Sequence, residues 1–323
     1  MYPCGYREAR RAAVTIALFL AGCGTSNAVD AGWEGTPTDA SFEGGTIDLA
    51  DAYPTADPNP DASAPSPDFD ASAGTTFGCT GKTLGAGSRD ENVTSGGLSR
   101  VAHMHVPSGY DATKGTMLVL AFHGFSESGW EQEIQSRMDK SSDAKGYIVA
   151  YPEGIATSWN AGDCCGDSWT GGVDDVQFTR DLLGAIEADY CIDPKHVFAT
   201  GFSNGGFFAN LLACRLASRF AAVAAVAGAR PLDACQPATP VPILFFHGSA
   251  DQVVPPRLTV GAAAWWRRAN RCGDGDDVRD GCRAARACAA DVVVCTGPQG
   301  HTWPNDASER IWDFFQSHVR GDG

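Results

Sequence analysis

The sequence predicts an α/β domain with a mostly parallel sheet flanked by helices. From Cys79 onward, short runs rich in β-branched and aromatic residues alternate with helical patterns, which is typical of parallel strands joined by crossover helices. No internal repeat interrupts the alternation, and residues 79–320 suffice for one such domain. Because sheets of this type place their ligand sites at the carboxyl ends of the strands, we expect functional residues at that edge.

The strands are predicted from short apolar runs bounded by turn residues, and the helices from apolar residues that recur at helical spacing. The predicted strands span residues 101–106, 117–122, 147–151, 196–200, 222–227, 242–246 and 291–295. The predicted helices span residues 175–190, 204–218, 258–269 and 307–318.

The N-terminus resembles an export signal, which we assign to residues 1–22. Arg7, Arg10 and Arg11 precede a short apolar run over 12–20, too short to span a bilayer comfortably. The sequence Leu-Ala-Gly-Cys that ends at Cys23 resembles the lipobox of bacterial lipoproteins, in which the cysteine carries the lipid. We therefore expect a lipid anchor on Cys23 and a location outside the cell or at its surface. The alternative is ordinary cleavage nearby and a soluble product.

Residues 23–78 are predicted to form a disordered acidic tether. From Gly24 to Gly78 the chain has ten Asp or Glu, six prolines and neither Lys nor Arg. Such a composition cannot bury enough apolar surface to offset chain entropy. These acids account for most of the net charge of −15, so the charge says nothing about the substrate. No basic cluster indicates a nucleic-acid partner.

The G-x-S-x-G motif at 201–205 is the first candidate for chemistry. It lies between a predicted strand and a predicted helix, where a sharp turn lifts the Ser203 hydroxyl above the sheet. The positive end of the following helix favours a developing oxyanion. The alternative is a serine that only caps that helix.

A nucleophilic serine needs a base, and the base needs an orienting acid. Asp251 follows the strand at 242–246, and His301 follows the strand at 291–295, which is the chain order expected for such a site. The alternatives are a turn aspartate and a surface histidine. His247 precedes the Asp251 loop and is expected to shape it.

Backbone donors and aromatic contacts complete the predicted site. Phe125 and Asn204 are the expected N–H donors to the oxyanion, and a residue adjacent to Phe125 is the alternative to it. Trp159, Trp169 and Trp303 follow strand ends, so they are candidates for stacking on a planar acyl group, with loop cores as the alternative. We expect no metal and no cofactor.

Ten cysteines lie between Cys79 and Cys295, an even number that indicates disulfides in an exported chain. Topology narrows their pairing. Cys282 and Cys288 precede the last strand and are expected at the amino edge of the sheet, whereas Cys295 ends that strand at the carboxyl edge, where Cys164 and Cys165 are also expected. The expected pairs are Cys214–Cys235, Cys79–Cys191, Cys272 with Cys288 or Cys282, and Cys295 with Cys164 or Cys165. A disulfide from Cys295 to Cys164 or Cys165 would clamp the His301 loop to the Trp159 loop.

Five linked segments of the chain carry a family resemblance: WNAGDCCG (159–166), VDDVQFTRDLL (173–183), YCIDPKHVFATGFSNGGFFANLLACRL (190–216), FHGSADQVVP (246–255) and GHTWP (300–304). Together they resemble bacterial feruloyl esterases and polyhydroxybutyrate depolymerase-like esterases. The resemblance extends from Cys79 to His318 and implies an α/β-hydrolase fold and a serine esterase with Ser203 as nucleophile, Asp251 as acid and His301 as base. It implies feruloyl or acetyl esters of plant-wall xylan, or short polyesters, as substrates.

We therefore predict a monomeric feruloyl-esterase-like enzyme that works through an acyl-enzyme. Polyhydroxybutyrate depolymerase and acetylxylan esterase are the alternatives within that chemistry. A peptidase is a further alternative among hydrolases. A tethered module that binds glycan or polyester without cleaving it is the alternative outside enzymes, and a substituted Ser203, Asp251 or His301 would favour it.

Overall fold

The structure, a computed structural model, describes residues 78–162, 164–230, 232 and 235–320. The strands are β1 Gly87–Ser95, β2 Leu98–Val106, β3 Thr116–Phe122, β4 Ile148–Pro152, β5 Ile192–Phe202, β6 Ala222–Val226, β7 Ile243–Gly248, β8 Asp276–Arg279, β9 Cys282–Ala285 and β10 Val292–Gly297. The helices are α1 Gly129–Ser136, α2 Met138–Lys145, α3 Gly166–Thr170, α4 Asp175–Asp189, α5 Asn204–Arg215, α6 Arg257–Ala269 and α7 Ala307–Gln316, with a 3₁₀ turn at Ile155–Thr157.

The strands of the described residues form one sheet in the order β1-β2-β4-β3-β5-β6-β7-β10-β9-β8. The strands from β4 to β10 in that order pair in parallel, whereas both edges of the sheet pair antiparallel. The predicted mostly parallel sheet flanked by helices is therefore confirmed. All the predicted strands and helices are present, with ends that differ by a few residues.

Alternating side chains of the central strands divide the core into two layers, because successive residues of a strand point to opposite faces. In β5, Val197 and Ala199 pack on one face and Phe198 on the other. The first face is covered by α4, α5 and α6, which contribute buried residues such as Phe178, Phe208 and Trp266. The second is covered by α2 and α7, with Met138, Ile311 and Phe315 in its core. Burial on both faces holds the central strands rigidly under the loops at their carboxyl ends.

Two antiparallel hairpins extend the sheet beyond the predicted strands. β1 and β2 are joined by Gly96 and Gly97, both with positive φ, and β8 and β9 by Asp280 and Gly281, also with positive φ. Two-residue turns of this kind match the twist of antiparallel strands. The second hairpin lies beside β10, the strand that leads to His301.

The disulfides confirm three of the expected pairs and correct the fourth. Cys79–Cys191, Cys214–Cys235 and Cys272–Cys288 are present as expected. The expected pair between Cys295 and Cys164 or Cys165 is wrong, since Cys295 pairs with Cys282 and Cys164 with Cys165. β9 runs antiparallel to β10, which places Cys282 directly opposite Cys295 instead of at the amino edge of the sheet. Within the described part of the chain, no disulfide therefore joins the His301 loop to the Trp159 loop.

Among the described residues, no helix is long and apolar enough to cross a membrane. The predicted signal at 1–22, the lipid site at Cys23 and most of the predicted tether lie outside the described residues. These assignments stay predictions.

Candidate active site

Ser203 lies at a sharp turn between β5 and α5. Its φ of 51° and ψ of −117° place it in a conformation that a serine adopts at a cost, and such strain is typical of functional positions. Small neighbours make the turn possible, because a Cβ on Gly205 would overlap the carbonyl oxygens of Phe122 and His123. The motif therefore folds as the sequence predicted, with the serine at the carboxyl end of β5.

Asp251 lies in the loop that follows β7, with its side chain fully buried. Its Oδ1 accepts hydrogen bonds from the backbone N–H groups of Val253 and Val254, both at 2.9 Å. His247 Nε2 lies 2.8 Å from the Val254 carbonyl and 3.2 Å from Asp251 Oδ2. These contacts hold the carboxylate in one orientation, and His247 shapes the loop as expected.

His301 lies between Asp251 and Ser203. Its Nδ1 is 2.8 Å from Asp251 Oδ2, and its Nε2 is 2.9 Å from Ser203 Oγ. A carboxylate only accepts hydrogen bonds, so Nδ1 carries the proton and the free Nε2 accepts from the serine hydroxyl. The structure thus brings together the three predicted side chains in the order that activates a nucleophilic serine.

The loop that carries Asp251 and the loop that carries His301 are joined by backbone hydrogen bonds. They leave the adjacent parallel strands β7 and β10. The N–H of Ser249 donates to Gly297 O at 2.8 Å, and the N–H of Ala250 donates to Gln299 O at 3.1 Å. Backbone pairing therefore holds the His301 loop against the Asp251 loop, whereas the predicted disulfide would have joined it to the Trp159 loop.

The segment after β3 leaves one amide free for an anion. The N–H of Gly124 donates to the Glu127 carboxylate at 2.9 Å, and the N–H of Ser126 donates to Thr157 O at 2.9 Å. Between them, the N–H of Phe125 has no hydrogen-bond acceptor within the described part of the chain. The N–H of Asn204, at the start of α5, is likewise without an acceptor there. Both predicted oxyanion donors are therefore available. No pattern in the sequence marks Glu127 or Thr157 for this role.

The three tryptophans predicted to contact substrate lie in different environments. The prediction is wrong for Trp159, because its side chain is fully buried and stacks on Phe208 at 5.3 Å between ring centroids. It is also wrong for Trp303, which is buried and donates its indole N–H to Ser308 Oγ at 3.1 Å. Trp169 is 43% exposed on α3. Its contact with substrate stays a prediction.

His123 is a structural residue beside the site. Its Nδ1 donates to Gly124 O at 2.7 Å, and its Nε2 accepts from the N–H of Gly154 at 2.9 Å. Burial lowers the pKa of His123, and the hydrogen bond to the Gly124 carbonyl only partly opposes that shift. The ring is therefore neutral at neutral pH and joins the turn after β3 to the loop after β4. Among the described residues, no cluster of His, Cys, Asp or Glu has the arrangement of a metal site.

Comparison with known proteins agrees with this geometry. The sequence model of the family described as "Esterase PHB depolymerase" matches residues 101–254. A protein named "Putative esterase NocK" from Nocardia uniformis subsp. tsuyamanensis is 31% identical over 252 residues, which cover 66% of this chain and 73% of that protein. The chain belongs to the esterase PHB depolymerase family.

Two further similar proteins are informative, one by its sequence and one by its structure. Feruloyl esterase B from Piromyces equi is 38% identical over 157 residues, 46% of this chain but only 28% of that longer protein. Acetyl xylan esterase from Aspergillus awamori has a similar structure, with a TM-score of 0.58 and 17% identity, over 71% of this chain and 99% of that one. The structural similarity shows the fold, and the predicted α/β-hydrolase fold is confirmed.

Proposed function

We propose that the protein is a carboxylic ester hydrolase with Ser203 as nucleophile, His301 as base and Asp251 as acid. The observation that carries the proposal is the pair of hydrogen bonds that His301 makes, 2.9 Å to Ser203 Oγ and 2.8 Å to Asp251 Oδ2. Family membership supports the same chemistry.

In the proposed mechanism, His301 Nε2 takes the proton of Ser203 while Oγ attacks the ester carbonyl. The free N–H groups of Phe125 and Asn204 stabilise the oxyanion, and Asp251 stabilises the imidazolium. His301 then gives its proton to the departing alcohol. Water activated by the same nitrogen attacks the acyl-enzyme, releases the acid and restores the serine hydroxyl.

The substrate that we propose is a feruloyl ester of plant-wall xylan. Similarity to feruloyl esterase B supports this class, and so do two exposed aromatic side chains, one on a proposed oxyanion donor and one on the helix against which that donor's ring packs. Phe125 is 49% exposed and Trp169 43% exposed. The Phe125 ring packs over Gly166, the first residue of the helix that carries Trp169, since a Cβ there would lie 2.6 Å from Phe125 Cε2. Flat apolar rings suit a planar aromatic acyl group.

A short-chain polyester is the second candidate, because the family is described by depolymerisation of PHB. A panel of methyl ferulate, acetylated xylan and polyhydroxybutyrate separates the candidates. We expect the highest kcat/KM on methyl ferulate. We also expect that Trp169→Ala lowers kcat/KM for methyl ferulate by about tenfold relative to methyl acetate, in line with one lost aromatic contact.

Trp130→Ala is the matched control for this substitution. Trp130 is 61% exposed at the start of α1. Its loss should change kcat/KM for methyl ferulate and kcat/KM for methyl acetate by the same factor. Faster cleavage of the polyester than of methyl ferulate would favour the second candidate. Binding of these substrates without any hydrolysis would indicate the non-enzymatic binding module.

The disulfides within the described residues indicate a protein of an oxidising compartment, outside the cytoplasm. We further propose that a lipid on Cys23 anchors the chain to the membrane surface and that it acts as a monomer. One chain supplies all three proposed catalytic side chains, which is consistent with a monomer.

Expression in a bacterium tests the anchor. The unsubstituted protein should be recovered in the membrane fraction with a covalently bound acyl chain, and Cys23→Ser should remove both properties. Cys4→Ser is the control, since that cysteine lies in the predicted signal. Recovery of Cys23→Ser in the membrane fraction would contradict the anchor.

A further inference from the structure

The loop after β4 connects the two segments that carry the free amides of Phe125 and Asn204. Its central residue is Trp159, which is fully buried below the site. Both the backbone and the indole of Trp159 form hydrogen bonds, and each bond reaches one of those two segments. Burial makes these bonds matter, because a polar group left without a partner in the interior is costly.

The first connection joins Trp159 to Asn204. The Asn204 carboxamide accepts a hydrogen bond from the N–H of Trp159 at 2.7 Å and donates one to its carbonyl at 3.0 Å. Asn204 is 1% exposed. This two-point contact resembles the pairing of two strands, and it needs a side chain that both donates and accepts. The contact therefore fixes Asn204, the residue directly after Ser203, whose backbone N–H is a proposed oxyanion donor.

The second connection joins Trp159 to the turn after β3. The indole N–H donates to His123 O at 3.0 Å, two residues before Phe125. Thr157, two residues before Trp159, accepts from the N–H of Ser126. The indole also stacks on the Phe208 ring and meets the Phe122 ring edge to face, which limits its movement.

We propose that Trp159 is a positioning residue that sets the distance between the Phe125 and Asn204 N–H groups. This inference depends on the proposed ester hydrolysis, since it concerns the oxyanion donors of that reaction. Donors of this kind act only when they are held where the negative charge develops, and a displacement of about 1 Å can cost on the order of 100-fold in rate. Trp159 therefore acts on the transition state without touching the substrate.

Trp159→Phe tests the proposal, because phenylalanine keeps an aromatic ring in the core and removes the hydrogen bond to His123 O. We expect kcat on a short aryl ester to fall by about 10- to 100-fold, with KM changed less than about threefold. Inhibition by phenylboronic acid, which forms a tetrahedral anionic adduct with the serine, should weaken by the same factor as kcat/KM.

Trp266→Phe is the matched control. Trp266 is also fully buried, and its indole N–H donates to the side chain of Asn210 at 2.8 Å, on α5 but six residues beyond Asn204. It should lose similar stability and keep its kcat and its inhibition by the boronic acid. A merely structural role for Trp159 would make the two variants behave alike.

Asn204→Asp provides a second measurement if Trp159→Phe fails to fold. An ionised aspartate still accepts from the N–H of Trp159 but cannot donate to its carbonyl, so we expect the same loss of kcat and of boronic-acid inhibition. Full kcat in a folded Trp159→Phe or Asn204→Asp variant would overturn the proposal. Absence of hydrolysis by both the unsubstituted protein and Trp266→Phe would instead overturn the proposed function.

Discussion

Replacing Ser203 by alanine should lower kcat for ester hydrolysis by about 10⁴- to 10⁶-fold, because the nucleophile is lost while the rest of the site stays in place. The side chain of Ser203 is half-buried and has His301 Nε2 as its hydrogen-bond partner at 2.9 Å. Its removal leaves no cavity in either core layer, so the melting temperature should be unchanged. Steady-state kinetics on a short-chain aryl ester and a thermal melt measure the two effects.

Ser249→Ala is the control for Ser203→Ala. Ser249 is an exposed serine in the loop of Asp251, and its backbone N–H, which bonds to Gly297 O, is unaffected by the substitution. It should retain full activity. Residual activity of Ser203→Ala above a few per cent would show that another group is the nucleophile. A large fall in its melting temperature would show that the serine hydroxyl stabilises the fold.

The central sheet and the positions of Ser203, Asp251 and His301 follow from local sequence. β3, β6 and β7 are short apolar runs that are buried on both faces, so apolar content and turn residues mark them clearly. The three side chains then follow from the rule that parallel strands present their carboxyl ends at one edge. Contacts along consecutive strands and loops can be predicted in this way.

The edge strands β1, β8 and β9 were missed because they are polar or very short. β1 contains a single buried apolar residue, Val93; β8 and β9 have only four residues each, and β8 is mostly charged. Their turns were nevertheless marked in the sequence by Gly96-Gly97 and Asp280-Gly281, which favour two-residue hairpins. Overlooking the second hairpin placed Cys282 at the wrong edge and produced the incorrect partner for Cys295.

The role of Trp159 could not be predicted because it depends on contacts between distant segments. The sequence shows that Trp159 follows a strand, which predicts a loop at the site. It does not show which way the indole points. Only the structure shows that Asn204 and His123 supply its hydrogen-bond partners, 45 and 36 residues away along the chain. Long-range packing decides between a substrate contact and a buried support.

A buried ion pair holds the same loop from below. Arg100 on β2 and Asp175 at the start of α4 are joined by a contact of 2.8 Å, and both side chains are almost completely buried. Asp175 also accepts from the N–H of Asn160 at 2.8 Å, and the guanidinium lies 3.8 Å from the centroid of the Phe178 ring. Burial raises the pKa of Asp175, whereas the Asn160 N–H and Arg100 oppose that rise. The pair therefore connects the sheet, α4 and the residue next to Trp159.

Replacing Asp175 by asparagine should destabilise the protein by about 3–5 kcal/mol, because it leaves the Arg100 charge buried without its counterion. For a domain of this size, such a loss should lower the melting temperature by roughly 10 °C. Urea unfolding followed by tryptophan fluorescence measures the free energy directly. The same substitution should also lower kcat modestly, since the Asn160 N–H loses a charged acceptor beside Trp159.

Asp111→Asn is the matched control for Asp175→Asn, because Asp111 makes an ion pair of the same length, 2.8 Å, with Lys114 at the surface. Solvent screens that pair, so its loss should leave the melting temperature unchanged. Replacing both buried partners, as in Arg100→Met with Asp175→Leu, should recover most of the stability lost in Asp175→Asn, since no charge is then left buried. Equal destabilisation by the single and the double replacement would show that packing around the pair, and not the unpaired charge, determines the loss.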